Sequence, residues 1–135
     1  LIALLNLAKW DPGIFYDFHD QILQWVEENE PSSEQEAALI HGLDKVWDYF
    51  FLLEKARDIP FAIATILYEI DESERAITFY ERSIKHFGEE EEVYYNMALA
   101  HLDLKQKRQA KACLKKALEI QPKYKDALKL LKEIA

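Results

Sequence analysis

The chain has very little with which to interrupt or staple a helix. Three glycines (Gly13, Gly42, Gly88) and four prolines (Pro12, Pro31, Pro60, Pro122) punctuate 135 residues, and β-branched side chains are few beside Ala, Leu, Glu and Lys. That composition excludes a turn-rich β architecture and favours helix throughout. A single cysteine, Cys113, rules out an intramolecular disulfide and any cysteine-rich metal site. No run approaches the about 18 apolar residues that would span a bilayer, and the apolar opening 1–8 has neither a basic start nor a small-residue cleavage site. The expectation is a soluble, cytoplasmic protein without a membrane partner. Leu1 in place of an initiating Met adds the expectation that the chain is cut from something longer.

Catalytic chemistry is equally sparse. His19, His41, His86 and His101 are dispersed, with no two at metal-ligand spacing on one helix, and no glycine-rich phosphate loop or nucleophile motif occurs. The chain is therefore expected to be no enzyme and to carry no cofactor or metal. Cys113 lies near Lys111, Lys115 and Lys116, which would lower a thiol pKa if it were exposed; the plainer expectation is a packing cysteine. His101 reads as a packing residue, and His19, between Asp17 and Asp20, as a surface or capping group.

What is present is charge, unevenly spread. Net charge is −8, but residues 1–92 hold 7 Lys/Arg against 21 Asp/Glu, whereas residues 93–135 hold 10 against 4. Solvated helix faces account for this, and so would an end-to-end field that orients a partner or a second copy of the chain. The basic run Lys105, Lys107, Arg108, Lys111, Lys115 and Lys116 lacks stacking aromatics and sits in an acidic molecule, so no nucleic acid is expected.

Apolar residues recur at helical spacing nearly everywhere. Asp11-Pro12 offers a cap and a first-turn proline ahead of Phe15, Phe18, Ile22, Trp25 and Val26, predicting a helix over 13–29 that ends at Asn29-Glu30-Pro31. Ser33 with Glu36 has capping-box spacing, predicting a second helix over 33–55. Further helices are predicted near 60–70, from 73 to about 86, and over 90–104, 107–120 and 123–134, giving seven or eight in all.

Within this rhythm one pattern is written twice. Leu67, Ala76, Tyr80 and Ser83 return as His101, Ala110, Leu114 and Ala117, each 34 residues on, and a fixed period of 20–50 residues signals stacked supersecondary units. Tyr94, Met97-Ala98, His101, Ala110, Leu114, Ala117 and Pro122 in the second copy resemble the tetratricopeptide repeat; Pro60, Ile63-Ala64, Leu67, Ala76, Tyr80, Ser83 and Gly88 form a weaker first copy. The 34-residue frame fails when moved back over 23–56, so residues 1–56 are expected to be a helical cap. The resemblance implies an all-α, right-handed helical solenoid of the tetratricopeptide-repeat type. Its parts are the cap at 1–56, repeats at 57–90 and 91–124, and a capping helix at 125–135.

The resemblance also implies a function: non-enzymatic binding of a partner protein in a concave groove lined by the first helix of each repeat. The groove places fall on Asp58, Phe61, Thr65, Tyr68 and Glu69, then on Glu92, Tyr95, Leu99, Leu102 and Asp103. Aromatic, apolar and acidic side chains together suit a peptide or helix with hydrophobic anchors and some positive charge; burial of some of them beneath the cap is the structural counter-reading. Some relatives clamp a carboxylate terminus with two Asn, two Lys and one Arg. Only Asn96 stands at a matching place, while Phe61, Thr65, Asp126 and Leu130 replace the rest, which speaks against that ligand. Two alternatives remain at this point. One is self-association into a homodimer through Trp47, Phe50, Phe51 or the oppositely charged ends; the other is a regulatory appendage to an enzyme.

Overall fold

A computed structural model describes residues 12–50 and 59–135. Seven helices occur among them: α1 Pro12–Glu28, α2 Ser33–Phe50, α3 Ile59–Glu69, α4 Ser73–Phe87, α5 Glu91–Asp103, α6 Lys107–Ile120 and α7 Lys125–Ile134. No strand occurs among the described residues, which fold as an all-α succession of helices joined by short turns. The caps expected at Asp11 and the end of the helix predicted over 33–55 lie outside the described residues.

One helix start differs from its prediction. The reciprocal capping pair that opens α2 is Ser32 with Gln35, not Ser33 with Glu36: the Gln35 amide donates to Ser32 Oγ at 3.2 Å, and the Ser32 amide donates to Gln35 Oε1 at 2.9 Å. The sequence offers the same spacing twice in succession. The earlier pair prevails because the Ser32 carbonyl accepts the first helical bond, from Glu36 N at 2.8 Å, which makes Ser32 the capping residue. At the other end of the first inter-helix turn, the Trp25 carbonyl accepts both the Asn29 backbone amide at 3.0 Å and the Asn29 side-chain amide at 2.9 Å, which closes the end of α1.

The chain forms two compact units, Leu1–Asp71 and Glu72–Ala135. In the first, α1 and α2 both pack on α3. Ile22 and Val26 from α1, with Leu39, Leu43, Val46 and Trp47 from α2, are buried, and α3 buries seven of its eleven residues. So apolar a helix has no wide solvent face to offer. In the second unit each helix packs on the next in sequence, α4 on α5, α5 on α6 and α6 on α7.

The seam of the α5–α6 hairpin explains why these residues were needed. Ala98 and Ala100 on α5 and Ala110 and Ala117 on α6 are fully enclosed, with Met97 and Leu114 filling the space beside them. Methyl-sized side chains let helix axes come within about 8–10 Å, and large residues interdigitate where the small ones leave room. Burying a side chain such as Leu114 contributes about 1.5–3 kcal/mol.

The 34-residue period is visible residue by residue. Ile59, Val93 and Ala127 are buried alike, as are Ile63 and Met97, Ala64 and Ala98, Ile66 and Ala100, Ala76 and Ala110, Tyr80 and Leu114, and Ser83 and Ala117. Even the backbone returns. Asp71 has φ 63° and Lys105 φ 59°, each in the left-handed region that few non-glycine residues enter; the following residues, Glu72 and Gln106, have φ −98°, ψ 57° and φ −97°, ψ 66°. Among the pairs that depart from it is Leu67, buried, against His101, half-buried. His101 instead ties the α5–α6 turn: its Nδ1 lies 2.7 Å from Gln106 Oε1, and its carbonyl accepts the Gln106 amide at 2.8 Å.

On α7, Lys132 stands where Ala64 and Ala98 stand in the earlier helices, and it is exposed. A helix laid on that place would bury an ammonium group, which is costly without a partner. The seam therefore gives way to a solvated surface at α7, whose Ala127 alone is fully buried.

The enclosed seam yields a direct stability prediction. Ala110→Arg should lower the unfolding free energy by at least about 1–3 kcal/mol through overpacking. Ala112→Arg, on the exposed side of the same helix, should leave the thermal midpoint nearly unchanged. Equal midpoints for the two variants would refute the seam.

Candidate functional site

Packing decides which side of α5 stays available. With Val93, Met97, Ala98 and Ala100 turned inward, the residues at 95, 99 and 102 fall on another face at helical spacing. Tyr95, Leu99 and Leu102 are each half-buried there, and Glu92 and Asp103 are exposed. Asp103 is already engaged. Its carboxylate accepts a 3.4 Å hydrogen bond from the hydroxyl of buried Ser73 at the start of α4, where the unpaired amides of a helix N-terminus favour negative charge.

Tyr95 has a partner that the sequence did not announce. Its ring packs edge-on against Tyr124, with centroids 5.5 Å apart and planes at 70°, an arrangement worth about 0.5–1.5 kcal/mol beyond the area buried. Burial raises the Tyr95 hydroxyl pKa, and the carboxylates of Asp126 and Glu133 raise it further. Tyr124 is raised by burial, then by Glu92, Asp126, Tyr95 and Glu91. Two tyrosine rings thus sit in a field of carboxylates drawn from both α5 and α7.

In the first unit the α3 residues are distributed differently. Phe61 and Thr65 line a mostly apolar cavity of about 310 Å³ with Ile66 of the same helix and His19, Asp20 and Leu23 of α1. The Thr65 hydroxyl donates to the Phe61 carbonyl at 3.0 Å, and His19 Nε2 lies 3.1 Å from Asp20 Oδ1. Glu69 belongs to a second cavity of about 370 Å³, which it shares with Glu27, Glu30, Glu36 and Asp71. Tyr68 is half-buried. The sequence placed Phe61, Thr65 and Glu69 in one row; the structure sends the first two to one cavity and the third to another. Asp58 lies outside the described residues. Leu23 and Tyr124 were missed because Leu23 lies on the cap, and Tyr124, the last residue of the second repeat, falls at none of the places that carry the repeat pattern.

The remaining candidates resolve into packing. Cys113 is buried, and burial with nearby Glu81 pushes its thiol from 9.0 up to about 11, so the neighbouring lysines do not activate it. Tyr94 donates to Glu89 Oε1 at 2.8 Å. Of the aromatics proposed for self-association, Trp47 is buried, and Phe50 and Phe51 lie outside the described side chains. Among the described residues no group of three His, Cys, Asp or Glu is placed to hold a metal ion, and no helix is long and apolar enough to cross a membrane.

Successive helices joined by short turns, a 34-residue period in burial and backbone, and small residues in the seam define an α-helical repeat protein. The family model described as Tetratricopeptide repeat matches residues 91–124, the α5–α6 hairpin with its closing turn, so that hairpin is similar to a repeat of this family. No curated protein matches the chain. Tetratricopeptide repeats are typically non-catalytic modules that bind protein partners.

Two solution properties follow from these environments. Cys113 should react with iodoacetamide at about pH 8 far more slowly in the native protein than after unfolding; equal rates would contradict its burial. For Tyr94, burial, the bond to Glu89 and that carboxylate's charge push the hydroxyl from 10.0 up to about 12. A group raised in this way holds its proton more tightly when folded, so its contribution is complete below about pH 10 and is lost as pH rises to about 12. Denaturant unfolding across that window should show a shallower alkaline decline for Tyr94→Phe than for the parent.

Proposed function

We propose that the protein is a non-enzymatic interaction scaffold that holds an extended or helical segment of a partner protein on the open face of α5. The observation that carries this reading is the row Tyr95, Leu99 and Leu102. It stays half-exposed at i, i+4 and i+7 on a helix whose other side is sealed by α4 and α6. Anchors at that spacing match the apolar face of a partner helix or alternate side chains of an extended peptide. A tyrosine there is the residue type that most often dominates such contacts.

Glu92 beside the row, with Asp103 at its end, favours positive charge on the partner. In the first unit, Phe61 and Thr65 offer a recess large enough for one apolar side chain, and Tyr68 and Glu69 stand on the same helix. The role of these residues is partner contact, supported by their residue types and partial exposure.

The reading is tested with the whole chain as bait. Tyr95→Ala combined with Leu99→Ala should abolish capture of the proteins retained by the parent while keeping parental helicity, and Tyr124→Ala, which gives up the same ring contact, supplies the control for the accompanying drop of several degrees in thermal midpoint. Unchanged capture would discard the α5 face as the binding surface.

A further inference from the structure

The carboxylates around Tyr95 and Tyr124 stand where the chain is otherwise basic. Residues 93–135 contain ten Lys/Arg and only four carboxylates, Asp103, Glu119, Asp126 and Glu133. Two of those four, Asp126 and Glu133, act on Tyr95, and Glu91 and Glu92 of α5 join Asp126 in acting on Tyr124. Asp126, Glu92 and Glu133 are exposed and Glu91 half-buried. None of the four is held in an ion pair among the described residues. Lys129, one of two lysines between Asp126 and Glu133 on α7, is exposed and likewise makes no ion pair among the described residues.

An edge-to-face pair exposes part of a ring face, whose quadrupole attracts cations, and guanidinium groups stack on such faces. Unpaired carboxylates beside it add Coulomb attraction that strengthens where water is partly excluded. We infer that the Tyr95–Tyr124 pair, with Asp126, Glu133, Glu91 and Glu92 around it, is a subsite for an arginine or lysine side chain of the bound partner segment, and that the neighbouring Leu99 and Leu102 take its apolar residues. This subsite rests on the reading of the α5 face as the binding surface. Lys129 competes for the same carboxylates from within the chain.

The test is a nuclear magnetic resonance titration of the full chain with N-acetyl-Leu-Arg-Leu-amide and with the same peptide carrying citrulline, which keeps the shape of arginine without its charge. The arginine peptide should shift the ring signals of Tyr95 and Tyr124, and citrulline should weaken binding about two- to fivefold. Asp126→Asn with Glu133→Gln, both at exposed positions, should remove that difference, and Lys129→Gln should tighten the arginine peptide. Equal affinity for the two peptides with shifts at Tyr95 and Leu99 would overturn the cation subsite and leave the binding face standing. Arginine-specific shifts centred on Glu27, Glu30 and Glu36 would overturn its placement. Absence of any shift on the α5 face with either peptide would remove both the subsite and the face.

Discussion

Close approach at the alanine seam is the constraint from which the rest of the second unit follows. Ala98 and Ala100 on α5 and Ala110 and Ala117 on α6 are fully buried where these two helices pack, and burial of these positions fixes the rotation of α5 about its own axis. Once Val93, Met97, Ala98 and Ala100 point inward, Tyr95, Leu99 and Leu102 have no choice of face. The available surface is thus a geometric by-product of packing, specified by residues that touch no partner. Leu114 and Met97 fill the volume left beside the small residues, so the orientation is held by shape on both sides of the contact.

The same seam explains how the turns repeat. A hairpin whose helices approach closely needs a short connection, and a short connection needs one residue in the left-handed region. Lys105 fills that role after α5, locked by the bonds between His101 and Gln106. Asp71 takes the same φ one period earlier. Neither is glycine, so the strain of about 1 kcal/mol in such a conformation is carried by surrounding hydrogen bonds rather than relieved by sequence.

Much of the fold was legible because it rests on short-range pattern. Helix spacing, the breakers at Pro31, Gly88 and Pro122, and the recurrence of Ala76 and Ala110 lead to helix bounds within about two residues of those observed for most elements. The capping pair at Ser32 and Gln35 was misplaced by one residue because two serines and three acceptors in succession satisfy the same rule, and only the backbone bond from Glu36 to Ser32 discriminates between them. The site was less legible. Tyr95 could be placed on its face from the repeat register alone, but its partner Tyr124 comes from the connection to α7, and no periodic pattern ties a turn residue to a helix 29 positions earlier. Cys113, read from the sequence as a packing cysteine, is buried. Nearby lysines are visible in sequence, whereas the burial that outweighs them is not.

Phe61 and Tyr95 occupy the same place in the 34-residue period, and their different fates show what the period does and does not determine. Register puts an aromatic at one position of each lead helix. Phe61 then meets His19 and Leu23 of α1 across a mostly apolar cavity, whereas Tyr95 meets Tyr124 among exposed carboxylates. A phenyl ring suits the first setting because it demands no hydrogen bond. The second is partly wet and negative, so a hydroxyl can point to water while the ring face remains open to a cation. Repetition therefore supplies equivalent positions, and the non-repeating elements beside them, the cap helix in one unit and the turn before α7 in the other, assign each position its chemistry.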